Sequence, residues 1–518
     1  MPKFTHTALA AVVSIGFCQA CALAGLPDGP VPLGKPDLTE HRLSRELVPG
    51  VTLDIIDRGG DRPVSSWIIS AGIARNAGER RQASKCLSTL GLAARFEDYA
   101  TPGSRPVPYV EVVGGDLADE KVAKAAVKTV AGCDLKARAK AASPLYGEAS
   151  WRLYVVEIDP AIFKGHLYAS RGHETVYQRQ TTSAIAQREG AFLAINGGFF
   201  AMKPDEGVVG ASAGISVLNG KILSGPTSMR SYLLLRDGSP VSAAVVDAPA
   251  RSLSLDWSDG TRTVVNGVNR RAGYARGCGV GSRPPAEEPA HDETCAVPDD
   301  LVAITQDAGF QSDSASTELF TLHPDGKVGL GSTGEKGEIV LAATGQMTQS
   351  LGSKVAAGLR ATLDLNYAAL TGQSPVDKVY AVNGAPTLLR EGVPVHEEDR
   401  EGWATVSVSK DRANFVHHWV GLRNPRTAVG VSADGIIWLV VADGHENAID
   451  KSRGDNKSVG LSIEELRSVL RYLGAKDAIN LDGGGSSALV VDGKLASHPS
   501  DAAGEREIGD AIVLTRGD

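Results

Sequence analysis

A chain of 518 residues has room for one large domain and a smaller one, and a hydrophobic content of 42% is enough to pack both. The formal net charge of -8, without any block of Lys and Arg, excludes a nucleic-acid surface, because phosphate backbones are bound by concentrated cationic footprints. The first residues read as an export signal: Lys3 in a short polar start, an apolar run from Ala8 to Phe17, and Ala22-Leu23-Ala24 as a small-residue cleavage site. Residues 1–24 are expected to be removed, which places the mature chain in the periplasm or outside the cell. A lipid anchor would need Cys21, but Cys18 stands where an aliphatic residue is usual. No later apolar run approaches the ~18 residues that cross a bilayer, so no membrane span is expected after cleavage.

Residues 25–50 form an N-terminal segment. VTLDIID, inside a 51–62 stretch, reads as a strand that joins the main sheet of the domain further on. Between 63 and 145 the order is strand (WIISAG), helix, strand, strand (PYVEVVGG), helix, strand (LKARAK), the split β-α-β-β-α-β arrangement with two helices on one sheet face. This order and the Tyr109–Gly114 strand resemble the sporulation-related (SPOR) repeat, which implies a module that binds peptidoglycan glycan strands. A ferredoxin-like insert without a ligand fits the same pattern.

Four cysteines remain after signal removal, Cys86, Cys133, Cys278 and Cys295, an even number in an oxidising compartment. Local pairing is the simplest scheme: Cys86 with Cys133 across the two helices of the small module, and Cys278 with Cys295 around the Pro/Glu-rich SRPPAEEPAHDE. A bridge closing a loop of that size contributes about 3 kcal/mol in the chain-entropy view. Neither pair has zinc-ligand spacing with nearby histidines.

From 150 to 518 the chain is rich in strands and glycine. Strands such as WRLYVVEI, GAFLAI, IIWLVVA and DAINL are almost continuously apolar, as when both faces are buried. Helices are predicted over 182–188 and 462–473, where Ser462 and Glu465 make a capping box. The fold class is α+β, with a mixed central sheet in the large domain.

Four of the buried strands end in the same turn chemistry: AINGGFF, YAVNGAP, VVADGHE and INLDGGGSS. If they share a sheet and a direction, Asn196, Asn383, Asp443 and Asp482 converge on one rim, where polar groups line a ligand crevice. Asn-Gly and Asp-Gly are also ordinary turn dipeptides, and Asn383-Gly384 taken alone reads first as such a turn. Three successive glycines are costly unless backbone passes close to something. The amides of Gly483, Gly484 and Gly485, with Ser486 and Ser487, therefore make a candidate anion cradle. Arg423 and Arg426, around a rigid proline and followed by Thr427, suit fork-like recognition of phosphate.

AINGGFF, RNPRTAVGVSADG and INLDGGGSSALVVDGKL, in that order, resemble the phosphodiester glycosidase family. NGVNR, VNGAPTLLREG and the closing SHPSDAAGEREIGDAIVL fit the same resemblance. The resemblance implies hydrolysis of the bond between a sugar's anomeric carbon and a phosphate oxygen, with N-acetylglucosamine as the sugar. It implies Asp443 and Asp482 as the catalytic carboxylate pair. Substrate contacts would come from Asn196, Gly197, Asn383, Arg423, Arg426, Thr427, Gly444, His445 and the Gly483–Ser487 run. Calcium or magnesium at the Asp443/Asp482 rim would suit carboxylate oxygens, but no EF-hand-like loop is present and no cofactor or metal is assigned. The adjacent His417 and His418 point opposite ways on a strand and do not make a metal pair. Two alternatives stay open: a non-catalytic cell-wall glycan-binding protein, and a phosphodiesterase that cuts the P–O bond.

Overall fold

The computed structural model describes residues 25–60, 66–98, 110–133, 135, 137–141, 149–172, 178–204, 206–227, 230–249, 251–277, 294–309, 317–332, 335–372, 378–396, 400–403, 415–444 and 458–517. The predicted signal peptide, Cys278 and His445 lie outside the described residues.

An eight-stranded sheet forms the spine. Its order is Glu40–Val48, Val51–Gly59, Ser150–Ile158, Ile437–Ala442, Arg426–Ser432, Ala475–Asn480, Thr387–Arg390 and Val393–Pro394. Every neighbouring pair is antiparallel, where a mixed sheet was expected. The continuously apolar strands have another cause: both faces of the sheet are covered. On one face Leu153, Val440 and Trp438 pack with Leu466, Val469 and Leu470 of helix Ile463–Tyr472 and with Val31 and Leu33 of the N-terminal segment. On the other, Tyr154, Val156, Val429 and Ile479 pack against Leu167, Ile195, Leu233, Val382 and Ile512, which come from two further sheets. One of these runs Lys494–Leu495, Leu489–Val491, Leu193–Asn196, Asp510–Thr515 and His166–Arg171. The other runs Lys221–Ser224, Ser216–Leu218, Val379–Asn383, Tyr232–Arg236 and Ser242–Val246.

Helix Ile463–Tyr472 starts at the predicted capping box. The Ser462 hydroxyl accepts from the Glu465 amide at 3.1 Å, and the Ser462 amide donates to the Glu465 carboxylate at 3.0 Å.

Between Val51–Gly59 and its sheet partner Ser150–Ile158 the chain builds a separate four-stranded sheet. Its order is Ala94–Asp98, Val110–Leu117, Trp67–Ala74 and Arg138–Ala141, with neighbouring strands antiparallel. Helices Ala77–Thr89 and Glu120–Val130 bury Ala83, Leu87 and Val130 against Ile69 and Val112. Cys86, in the first helix, is bridged to Cys133, just after the second, with their Cα atoms 5.9 Å apart. Cys295 is also disulfide-bonded.

The spine carries a titratable liability at the end away from the strand-end turns. Glu157 is 4% exposed, and burial, then Asp54, Asp159 and Asp434, push its carboxyl up to about 7. The folded protein therefore holds a proton there that the unfolded chain has lost. Stability falls as pH rises from about 4.5 to about 7, and the penalty is complete above that window. Glu157→Gln is expected to raise the unfolding free energy by roughly 2 kcal/mol at pH 8 and hardly at all at pH 4.5. Urea unfolding at the two pH values reads the difference.

Candidate active site

Ile437–Ala442 and Ala475–Asn480 both pair antiparallel with Arg426–Ser432, so they run parallel to each other and end on one edge. Asp443 and Asp482 follow those ends. Asn196 and Asn383 belong to the two other sheets, contrary to the expectation of one shared sheet, and they reach the rim differently.

Asn196 is fully buried and is spent on structure. Its side-chain oxygen accepts from the Thr427 hydroxyl at 2.6 Å and the Ala488 amide at 3.2 Å, while its Nδ2 donates to the Asp482 carbonyl at 2.8 Å. Thr427 is equally buried. These two residues fasten three segments together, and neither has an atom left for a sugar. Asn383 is likewise consumed, accepting from the Phe199 amide and donating to the Phe199 carbonyl and the Ser212 hydroxyl. Gly197 donates to the Asp510 carbonyl, and a Cβ there would meet Asp510 Oδ1 at 2.2 Å, so only glycine fits. Gly444 is pressed against Gly460 in the same way, with 2.7 Å between a Cβ and the Gly460 Cα.

The two arginines expected to hold phosphate do other work. Arg423 makes a forked ion pair with Glu465, the capping residue, at 2.6–3.0 Å, and lies over the Trp151 ring. Arg426 is 0% exposed. It donates to the carbonyls of Leu461, Trp419 and Leu422 and lies over the Trp419 ring. Carbonyl oxygens satisfy a guanidinium as well as phosphate oxygens do, and here they come from the chain itself.

The glycine run also differs from an open cradle. Gly483 donates to Asp482 Oδ1, Gly484 to the Pro425 carbonyl, Ser486 to the Gly483 carbonyl and Ser487 to the Gly484 carbonyl. These amides close a 3₁₀ turn over Gly484–Ser486. The glycines are needed for packing: a Cβ on Gly485 would meet Asp501 Oδ1 at 2.1 Å and Arg506 Nη2 at 2.2 Å, and Gly484 has φ +60°. The Ser487 hydroxyl is buried without a hydrogen-bond partner.

Positive charge arrives from residues that the sequence left unmarked. Arg506 forks onto Asp501 at 2.7 and 2.8 Å and reaches the Ser486 hydroxyl at 3.4 Å. Arg506 and Arg276 both favour the charged form of Asp482. Burial outweighs them and pushes that carboxyl up to about 6. Its acidic neighbour is Asp510, 7% exposed, which accepts from the Gly198 amide at 2.7 Å. Burial, and then the charge of Asp482, push Asp510 up to about 6 as well. Asp510 is thus a second buried carboxyl within reach of the Asp482 charge.

Asp443 has a different partner. It is 2% exposed; Oδ1 accepts from the His498 amide at 2.9 Å, and Oδ2 faces His498 Nδ1 at 2.8 Å and the Tyr154 hydroxyl at 3.0 Å. Burial and the Asp443 charge drive the Tyr154 phenol far up, so it stays protonated and donates. Among the described residues no group of three or more His, Cys, Asp or Glu side chains is arranged to hold a metal ion.

Residues 299–515 match the phosphodiester glycosidase family. The matched segment includes Asp443, Asp482, His498, Arg506 and Asp510. The chain is 35% identical over 128 residues to the N-acetylglucosamine-1-phosphodiester alpha-N-acetylglucosaminidase of Mus musculus and 31% identical over 123 residues to that of Homo sapiens. Each match covers 24% of this chain and 21% of the relative, so the chain spans about a fifth of the curated relatives it matches. The crystal structure of a Burkholderia pseudomallei K96243 protein described as exported superposes with a TM-score of 0.79 at 29% identity, covering 94% of this chain and 99% of that one. The phosphodiester glycosidase match begins beyond Asn196 and Arg276, which the fold nevertheless brings to the domain's rim.

Proposed function

We propose that the chain is an exported hydrolase that cleaves the anomeric C–O bond of a sugar phosphodiester, with N-acetylglucosamine as the sugar. The observation that carries this reading is the buried Asp482 carboxyl, beside a glycine turn whose Ser486 hydroxyl Arg506 reaches, with Asp510 as its acidic neighbour, inside a segment that matches the phosphodiester glycosidase family. The arginines attract the phosphate, and the negative charge of Asp482 stabilises the cation that develops at the anomeric carbon as the phosphomonoester departs. A phosphomonoester is a good leaving group, so electrostatics supplies more of the rate than protonation does.

The signal at 1–24 would send the protein out of the cytoplasm. The split four-stranded module of 63–145 would act as a SPOR-like tether to cell-wall glycan, inserted between the 51–62 strand and the 150–518 catalytic domain. Hydrolysis of N-acetylglucosamine α-phosphodiesters in oxygen-18 water tests the central claim. Label in the free sugar supports it; label in the phosphate means P–O cleavage; binding without turnover means a glycan-binding protein.

The raised carboxyl of Asp482 sets a pH window. Asp482 must be charged to act, so kcat/KM is expected to fall on the acid side of about pH 6. Asp510→Asn removes the neighbouring negative charge while its side-chain oxygen still accepts from Gly198. The acid limb should then move down by on the order of one unit. A pH profile of kcat/KM for the two proteins measures the shift.

A further inference from the structure

The inserted module leaves the spine at the edge where the candidate active site lies. Gly59 and Ser150, the strand residues on either side of the insertion, are register partners. One strand further along, the Asp443 amide donates to the Arg152 carbonyl at 3.1 Å. Two strands beyond that, the amide of Leu481, just before Asp482, donates to the Thr427 carbonyl at 2.8 Å. The strand that starts at Ser150 is three places from the one that ends at Asn480, and the strand that ends at Gly59 is four. At the usual spacing of strands, the two junctions of the module therefore stand about 14 and about 19 Å from the Asp482 strand.

The charge of the module differs from that of its host. Residues 63–145 contain 12 Lys and Arg against 8 Asp and Glu, whereas the rest of the chain contains 41 against 53. The excess is displayed on the two helices. Arg80, Arg81 and Lys85 of helix Ala77–Thr89 are exposed, as are Lys121, Lys124 and Lys128 of helix Glu120–Val130. The helices carry few acids, and these are engaged: Glu79 by Arg75 at 2.7 Å and Glu120 by Lys124 at 2.8 Å. Among the described residues Arg81, Lys85, Lys121 and Lys128 have no ion-pair partner. Both helices cover one face of the small sheet, and the Cys86–Cys133 bridge ties them together, so these cations share one surface. Each exposed contact of this kind is weak, so a small anion gains little there and a repeating polyanion gains most.

We infer that the helix face of the module binds an anionic, phosphate-bearing polymer and presents it to the Asp482 edge, so that the sugar phosphodiester to be cleaved is one carried on that polymer; this rests on the glycosidase reading above. The module then holds the substrate itself, not a neighbouring scaffold.

The test uses the full chain and a variant with Lys85→Glu, Lys121→Glu and Lys128→Glu together, checked for folding by thermal unfolding. Two substrates are compared: N-acetylglucosamine α-phosphate esterified to glycerol, and the same phosphodiester carried on poly(glycerol phosphate). The wild type is expected to show a KM about 10-fold lower for the polymer-borne substrate, and to lose that preference at about 1 M salt. The triple variant should lose it at low salt, with kcat and KM for the glycerol ester unchanged, and the corresponding alanine triple should lie between the two. Equal KM values for the two substrates in the wild type, or a preference that survives charge reversal, overturn the inference. Binding is read separately, by the fluorescence anisotropy of labelled poly(glycerol phosphate) that carries no sugar. Binding by the wild type and its loss in the triple variant support the anionic surface even where neither substrate releases sugar, and that outcome refutes the glycosidase reading instead. No binding of this polymer, or tighter binding of an uncharged chitin oligosaccharide or of a DNA oligonucleotide of the same charge, overturns the inference.

Discussion

Asp482→Asn should lower turnover of a sugar phosphodiester by about 10³-fold, the scale on which removing one preorganised charge from a reacting centre is felt. The substitution is close to isosteric, and the asparagine oxygen can still accept from the Gly483 amide, so the 3₁₀ turn survives. Stability moves the opposite way from activity. The wild-type carboxyl sits at about 6 because of burial, so above that pH the folded protein holds an unfavourable charge that asparagine does not carry. Thermal unfolding at pH 8 should therefore occur at or above the wild-type temperature while kcat collapses. A variant that loses both together would mean that Asp482 is structural. A variant that keeps its turnover would remove Asp482 from the chemistry.

The second large effect is on folding. Arg426→Ala should destabilise the protein by about 3 kcal/mol, since it strips a fully buried guanidinium from the carbonyls of Leu461, Trp419 and Leu422 and leaves a cavity under the Trp419 ring. Arg426→Lys should recover little, because an ammonium cannot present the planar fork that spans these acceptors. Denaturant unfolding of the three proteins gives the numbers. Had Arg426 bound phosphate directly, the alanine variant would keep its stability and raise KM. Arg506→Ala is where the latter pattern belongs, since that side chain lies at the Asp482 loop and is part-exposed.

The difference between these two arginines shows what could be read from the chain alone. INLDGGGSS stood out because an apolar strand followed by three glycines has few explanations, and its carboxylate is indeed the one raised by burial. Arg423 and Arg426 are ambiguous in the sequence because an arginine beside proline looks the same whether carbonyls, a glutamate or a phosphate receives it. Only the fold decides, through Glu465 for one and backbone oxygens for the other. Asp510 and His498 are inconspicuous in the sequence for a related reason. Each is a single polar residue in a loop-like stretch, GEREIGD or SHPSD, whose partner is far away in sequence. His498 meets Asp443 across 55 residues and Gly198 meets Asp510 across 312. The signal that could have found Asp510 is the Gly-Asp pair at the start of the buried strand AIVL, the mirror of the strand-end turns that drew notice.

Asn196 gives the rim one more property. Its single side chain ties the strand it ends to Thr427 and to both ends of the turn that begins at Asp482, contacts separated by 231 to 292 residues. The Asp482 turn consequently has no independent existence as a cassette. Moved into another scaffold, it would keep its glycines and lose its shape. The shape of that turn, conversely, reports whether the middle and last thirds of the chain have found each other.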